Sequence, residues 1–156
     1  MKPKRDDIGL DRIDRQILKL LQSDCKMPLA KLGEQVGLSA PSVVERIRRL
    51  ESEGFIKGYY ASLDARRLGI DITAFIGVTI DRLDATDDIA QQISALEDIL
   101  ECHHVTGEHN FLLKVKTHNT ETLEMLIRRL RSIPGITQTH TSVVFSTPFE
   151  RALLSV

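Results

Sequence analysis

Hydrophobic spacing changes period once along this chain, near residues 60 to 70. Before that seam apolar residues recur every three to four positions, and after it they alternate. Charge changes at the same place. Residues 1 to 67 hold 14 Lys or Arg against 10 Asp or Glu, net +4, and residues 68 to 156 hold 7 against 12, net −5. A chain of 156 residues with this double break reads as two small units, a basic helical one and an acidic one that mixes strands with helices.

The whole chain carries a formal net charge of −1. This excludes a uniformly basic coat, so any nucleic-acid surface must come from local charge separation. Met1 to Asp14 contains no apolar run of signal-peptide length, and the longest run elsewhere, Ile72 to Ile80, is far short of a membrane span. The expectation is a cytoplasmic protein with no membrane partner. Cys25 and Cys102 form no CxxC pair and read as free thiols.

Three helices are predicted in the basic half. Asp11 caps the first, whose residues Ile13, Ile17, Leu18, Leu20 and Leu21 keep the 3.6-residue period. Pro28 suits the first turn of a short second helix with Leu29, Leu32 and Val36, which Gly37 stops. Ser39 caps the third, Val43, Ile47 and Leu50 form its apolar stripe, and Gly54 ends it. Phe55 to Leu63, richer in aromatic and β-compatible residues, is predicted to leave as a strand.

The acidic half reads as strand (Ile72–Ile80), helix (Ile89, Ile93, Leu96), strand (Ile99 to Thr106), turn (Gly107 to Asn110) and strand (Phe111–Thr117). A helix on Leu123, Leu126, Ile127 and Leu130 follows, stopped by Pro134-Gly135, and then a strand from Ile136 to Ser146. The order β-α-β-β-α-β is that of a ferredoxin-like fold, making the chain α+β. A short internal repeat agrees: Leu96 to Ile99 precedes Ile133 to Ile136 by 37 residues, and His103 falls against His140. With both helices on one sheet face, the other lacks a cover. Thr137, Thr139, Thr141, Val143 and Phe145 are expected to line it, and a second copy of the sheet to close it.

A short helix, a glycine-containing turn and a cationic second helix form the helix-turn-helix pattern. Turning 100° per residue from Val43 puts Pro41, Ser42, Glu45, Arg48 and Arg49 opposite the core stripe, with Arg46 on the flank. Ser42, Glu45 and Arg49 are spaced to run along a major groove, where Arg pairs with guanine and Glu accepts from cytosine. Arg46, Arg48 and Lys31 suit phosphates, which position the helix without reading sequence. The plain alternative is a solvated face in which Glu45 pairs with Arg48 or Arg49.

Several stretches resemble one family. Leu10 to Leu18, Leu38 to Glu51, Gly54 to Tyr59 and Val105 to Val115 are together similar to the leucine-responsive regulator/AsnC (feast/famine) family of transcription factors, over residues 8 to about 150. The resemblance implies a winged helix-turn-helix domain (1–60, with Ser39 among its DNA-binding residues), a strand linker (61–71) and a ferredoxin-like effector-binding and dimerisation domain (72–156). It implies double-stranded DNA as partner, self-association as a dimer with an octamer common in the family, and an amino-acid effector with no other cofactor. By position the effector residues are Gly107, Glu108, His109 and Asn110, with Thr139, Thr141, Ser142 and Val143 on the last strand. The family often has an aromatic residue and Asp where His109 and Asn110 stand here, so the negative charge is replaced by a neutral acceptor. From the residues alone, Gly107 to Asn110 reads as a plain hairpin turn.

Cys102 and His104 share a strand face, and with His140 on a paired strand they would give three metal ligands. No helix carries a His pair at i, i+4, and strand histidines at a polar interface explain the set, so no metal is expected. No catalytic motif such as GxSxG, HExxH or a P-loop is present, and no enzyme is expected. The competing readings are a metabolite-binding module whose helix-turn-helix contacts protein, and a small enzyme on the ferredoxin-like sheet.

Overall fold

A computed structural model describes residues 9–81, 84, 86–151 and 153–156. The reading of Met1 to Ile8 as lacking an apolar run lies outside the described residues. The chain divides into two compact units, Met1–Ser62 with Glu150–Val156, and Leu63–Phe149.

The first unit has three helices, α1 (Arg12–Ser23), α2 (Leu29–Val36) and α3 (Ala40–Ser52). Asp11 caps α1 through a reciprocal box with Asp14: each side chain accepts from the other's backbone N–H. Pro28 precedes α2, and Gly37 ends it in the left-handed conformation. Ser39 caps α3 by accepting from the Ser42 N–H. Ile17, Leu32, Val43 and Leu50 are fully buried between the helices, and Ile13, Leu38, Ile47 and Ile56 pack around them. Phe55 to Leu63 is not a strand. The N–H groups of Phe55 and Ile56 both donate to the Leu50 carbonyl, so the chain wraps back over the end of α3 instead of extending. A helix end needs such donors for its orphan carbonyls, and that need outweighs β-propensity here. The expected strand linker instead carries one 3₁₀ turn, Arg66–Leu68.

The second unit runs β1 (Ile72–Ile80), α4 (Thr86–Ser94), β2 (Ile99–His104), β3 (Phe111–Thr117), α5 (Thr120–Arg131) and β4 (Ile136–Val143). The sheet order is β2-β3-β1-β4 with every neighbouring pair antiparallel, the ferredoxin-like arrangement. Ala74, Ile76 and Val78 of β1 and Phe111, Leu113 and Val115 of β3 face the helices. There they meet Ile89 and Ile93 of α4 and Leu123, Leu126 and Leu130 of α5.

The faces of β4 are the reverse of the expectation. Thr139, Thr141 and Val143 stand opposite Val78, Ile76 and Ala74 and so share the helix side, while Gln138, His140 and Ser142 share the open face with Thr79, Gly77 and Phe75. The cause is a register shift between Thr79 and Ile80, which leaves Thr137 as an extra residue. Ile136, still packed on the core, and Thr139 can then face the same way although they are three residues apart.

Candidate functional site

Two constellations carry the sequence-predicted residues, one in each unit. In the first unit the turn between α2 and α3 is tight. A Cβ on Gly33 would lie 2.5 Å from the Leu38 carbonyl oxygen, so the glycine lets the turn close over α2. The Leu38 N–H donates to the Gly33 carbonyl, and Ser39 then starts α3. Sequence reasoning missed Gly33; a glycine inside an apolar-periodic helix was the available signal.

With Val43 and Leu50 buried, α3 turns Pro41, Glu45 and Arg48 to solvent, and Ser42 lies half-buried. The Ser42 hydroxyl is 2.9 Å from that of Ser39, so these two serines are partners at the cap. Lys31 is exposed on α2. Lys31, Glu45 and Arg48 have no ion-pair partner among the described residues.

Arg46 and Arg49 are placed differently. The Arg46 guanidinium donates to Asp11 Oδ2 at 2.6 Å and to Asp14 Oδ1 at 2.8 Å, and Arg49 donates to Asp14 Oδ2 at 2.5 Å. Asp14 is 1% exposed and is a second residue the sequence reading passed over. Both of its oxygens are engaged, Oδ2 also accepting the Asp11 N–H. The Asp11 carboxyl is drawn down to about 2, first by the Asp14 N–H it accepts and then by Arg46. Of these four cations, Lys31 and Arg48 have no ion-pair partner among the described residues, and Arg46 and Arg49 are held by carboxylates.

In the second unit the turn after β2 is fastened to β1. The Asn110 N–H donates to the Val78 carbonyl, its side-chain oxygen accepts from the Ile80 N–H at 3.0 Å, and its own carbonyl accepts from the Val105 N–H. Asn110 thus spends its acceptor on the sheet. His109 folds over the open face: a Cβ on Gly77 would lie 2.2 Å from the imidazole, so that glycine is the seat of the ring. The ring stacks on His140 at 5.9 Å between centroids and lies 3.5 Å from Thr79 Oγ1. Gly107 has φ +119° with open space where a Cβ would be, and Glu108 is exposed.

On β4, Thr139 accepts from the Arg131 Nε–H of α5 at 2.8 Å. Thr139 lies opposite Val78, to which the turn is tied, whereas Ser142 and Val143 lie opposite Phe75 and Ala74, farther along. The structure therefore brings His109 to His140 on the open face, while Thr139 and Thr141 face the helix side of the same strand.

The three-ligand metal set does not form. β2 and β4 are opposite edges of the sheet, and Cys102 and His104 share the helix face of Leu113 and Phe111 while His140 is on the open face. His104 packs on Phe111 at 5.4 Å between centroids, and burial raises the Cys102 thiol pKa. No group of three or more His, Cys, Asp or Glu among the described residues is placed to hold a metal. No described helix is long and apolar enough to cross a membrane.

A helix-turn-helix with an exposed cation on each of its two helices, Lys31 and Arg48, joined in one chain to a ferredoxin-like unit, defines a transcriptional regulator with a separate ligand-binding part. Family profiles agree. Residues 10–51 match the AsnC-type helix-turn-helix domain and residues 73–154 the Lrp/AsnC ligand binding domain. The chain is 34% identical to the transcriptional regulator FL11 of Pyrococcus horikoshii, covering 96% of this chain and 98% of that one. It is 39% identical to the leucine-responsive regulatory protein of Salmonella typhimurium, covering 90% and 88%. A transcriptional regulator of Neisseria meningitidis, solved with L-methionine, superposes with a TM-score of 0.88 at 28% identity over 94% of this chain and 96% of that one. The chain belongs to the Lrp/AsnC family of transcriptional regulators. These relatives are named as regulators, not as enzymes.

Proposed function

We propose that this regulator reads duplex DNA in the cytoplasm through the outer face of α3 and that a free amino acid controls it from the second unit. The observation that supports the DNA reading most is the row Ser42, Glu45 and Arg48 on α3 with Lys31 exposed on α2, where Glu45, Arg48 and Lys31 have no ion-pair partner among the described residues. A cation free on the second helix can contact base edges, and one on the first helix can contact phosphate. Compared with the sequence expectation, base reading passes from Arg49 to Arg48, because the Arg49 guanidinium is already bound to Asp14.

The effector is an α-amino acid held near Gly107 to His109 and the Thr139 end of β4. The solved Neisseria relative is named for its L-methionine complex. The open backbone at Gly107 admits a carboxylate to the amides of the turn. With Asn110 committed to Ile80, the exposed Glu108 carboxylate becomes the candidate partner for the ammonium. Two copies join through the open sheet face, on which Phe75 and Leu112 are exposed apolar residues, and an octamer is the larger assembly.

Fluorescence anisotropy with a duplex from upstream of the protein's own gene tests the first part. Arg48→Ala is expected to cost about 1–3 kcal/mol on that duplex and Lys31→Ala to weaken all sequences alike. A thermal-shift screen of the twenty amino acids tests the second, since a ligand that binds only the folded state raises its stability. No shift with any amino acid would overturn the effector reading. Light scattering measures the assembly, and a monomer at tens of micromolar would overturn that part.

A further inference from the structure

Resting on that DNA reading, we propose that Asp14, helped by Asp11, is a positioning residue that sets the specificity of the interface by withholding Arg46 and Arg49 from the phosphate backbone. The four side chains form one network joining the start of α1 to the outer face of α3, across 32 and 35 residues of sequence. Two carboxylates meet two guanidinium groups, so the network is neutral overall, and Asp14 sits at its centre with 1% of its surface exposed. Arg49 retains 43% side-chain exposure and Arg46 27%, so both arginines lie at the surface yet are not free cations.

Affinity for any duplex grows with the number of phosphates that free cations neutralise, regardless of sequence. Specificity is a difference between two affinities, so a device that lowers binding to every sequence alike leaves base contacts to decide. Two arginines free on α3 would add sequence-blind attraction beside Arg48 and Lys31. Held by Asp14, they instead brace the helix that presents Ser42, Glu45 and Arg48. A bound guanidinium also keeps a fixed orientation, which confines what the neighbouring helix face can meet in the groove.

The test is the salt dependence of binding to a random-sequence 20-base-pair duplex and to the upstream duplex, for the full chain and for Asp14→Asn. Asparagine keeps an acceptor for the arginines and removes the charge that holds them. The expected result is a plot of log K against log salt on random DNA that is steeper by about 0.9, for the release of Arg49, and a roughly tenfold gain in random-sequence affinity at 0.1 M salt. The ratio of specific to random binding should fall. A merely structural role for Asp14 lowers the melting temperature without steepening that slope. Asp11→Asn provides the second variant. Asp11 is half-exposed, asparagine caps helices as well as aspartate, and Arg46 loses one of its two carboxylates while Arg49 keeps its own, so the slope should steepen by a fraction of the Asp14→Asn change. Unchanged slopes in both variants overturn the proposal while leaving the DNA reading intact. A wild-type protein that binds neither duplex overturns both.

Discussion

The face of α3 and the turn after β2 solve the same problem in opposite ways. Each must hold polar side chains at a surface without letting them move freely. On α3 the holding groups are ionised and distant in sequence: Arg46 and Arg49 reach back to Asp11 and Asp14 at the start of α1. At the turn they are neutral and mostly backbone: Asn110 is tied to Val78, Ile80 and Val105, and His109 rests on Gly77. The first arrangement depends on charge and responds to salt and pH. The second depends on shape and hydrogen bonds, which salt hardly screens.

The largest test of this contrast is Asp14→Ala. Removing the buried carboxylate leaves Arg49 without its partner and Arg46 with Asp11 alone, and is expected to destabilise the first unit by about 3 kcal/mol. Urea unfolding followed by a probe in α1 measures it, and a loss below about 1 kcal/mol would show that the ion pairs are solvated. Asn110→Ala is the counterpart in the second unit. It strands the Ile80 N–H and is expected to cost about 1–2 kcal/mol, equally at low and high salt. A salt-dependent loss there would break the distinction between the two sites.

Gly77→Ala sharpens the shape argument. The added methyl displaces the His109 ring, so the His109–His140 stacking should vanish from NMR spectra, with a destabilisation of about 1 kcal/mol. His109→Ala should remove most of that cost in a double-mutant cycle. An additive cycle would mean that His109 does not occupy the seat.

The smallest effect is on pH. Asp11 titrates lower in the folded protein than in the unfolded chain, so the stability it lends is complete above its ordinary 3.8 and is lost as pH falls towards about 2. Melting curves across that window should decline in the wild type and flatten in Asp11→Asn.

What the sequence reveals about this molecule is mostly local. Asp11, Pro28, Gly37 and Ser39 mark their helix boundaries because capping depends on neighbours within a few residues. The βαββαβ order follows from period and turn residues, and both edge strands begin where the short repeat puts them, at Ile99 and Ile136. Three readings needed tertiary information. A helical wheel shows that Arg49 avoids the core stripe but not that α1 offers it a carboxylate. Alternation along β4 cannot reveal an extra residue at Thr137, and so it assigned Thr139 and Thr141 to the wrong face. Apolar and aromatic content suggested a strand at Phe55 to Leu63, where the end of α3 claims the backbone donors.

Strand order β2-β3-β1-β4 gives the sheet an approximate two-fold axis between β3 and β1, which exchanges the two βαβ halves. Under that exchange His103 and His140 change places, and so do the residues facing them, Leu112 and Gly77. Twin halves would carry like residues at these sites. Here one copy keeps a large side chain and the other has none, and the imidazole of His109 fills the vacancy. A single missing side chain is thus where two matching halves part ways: one remains a plain sheet surface, and the other has become the berth of a loop.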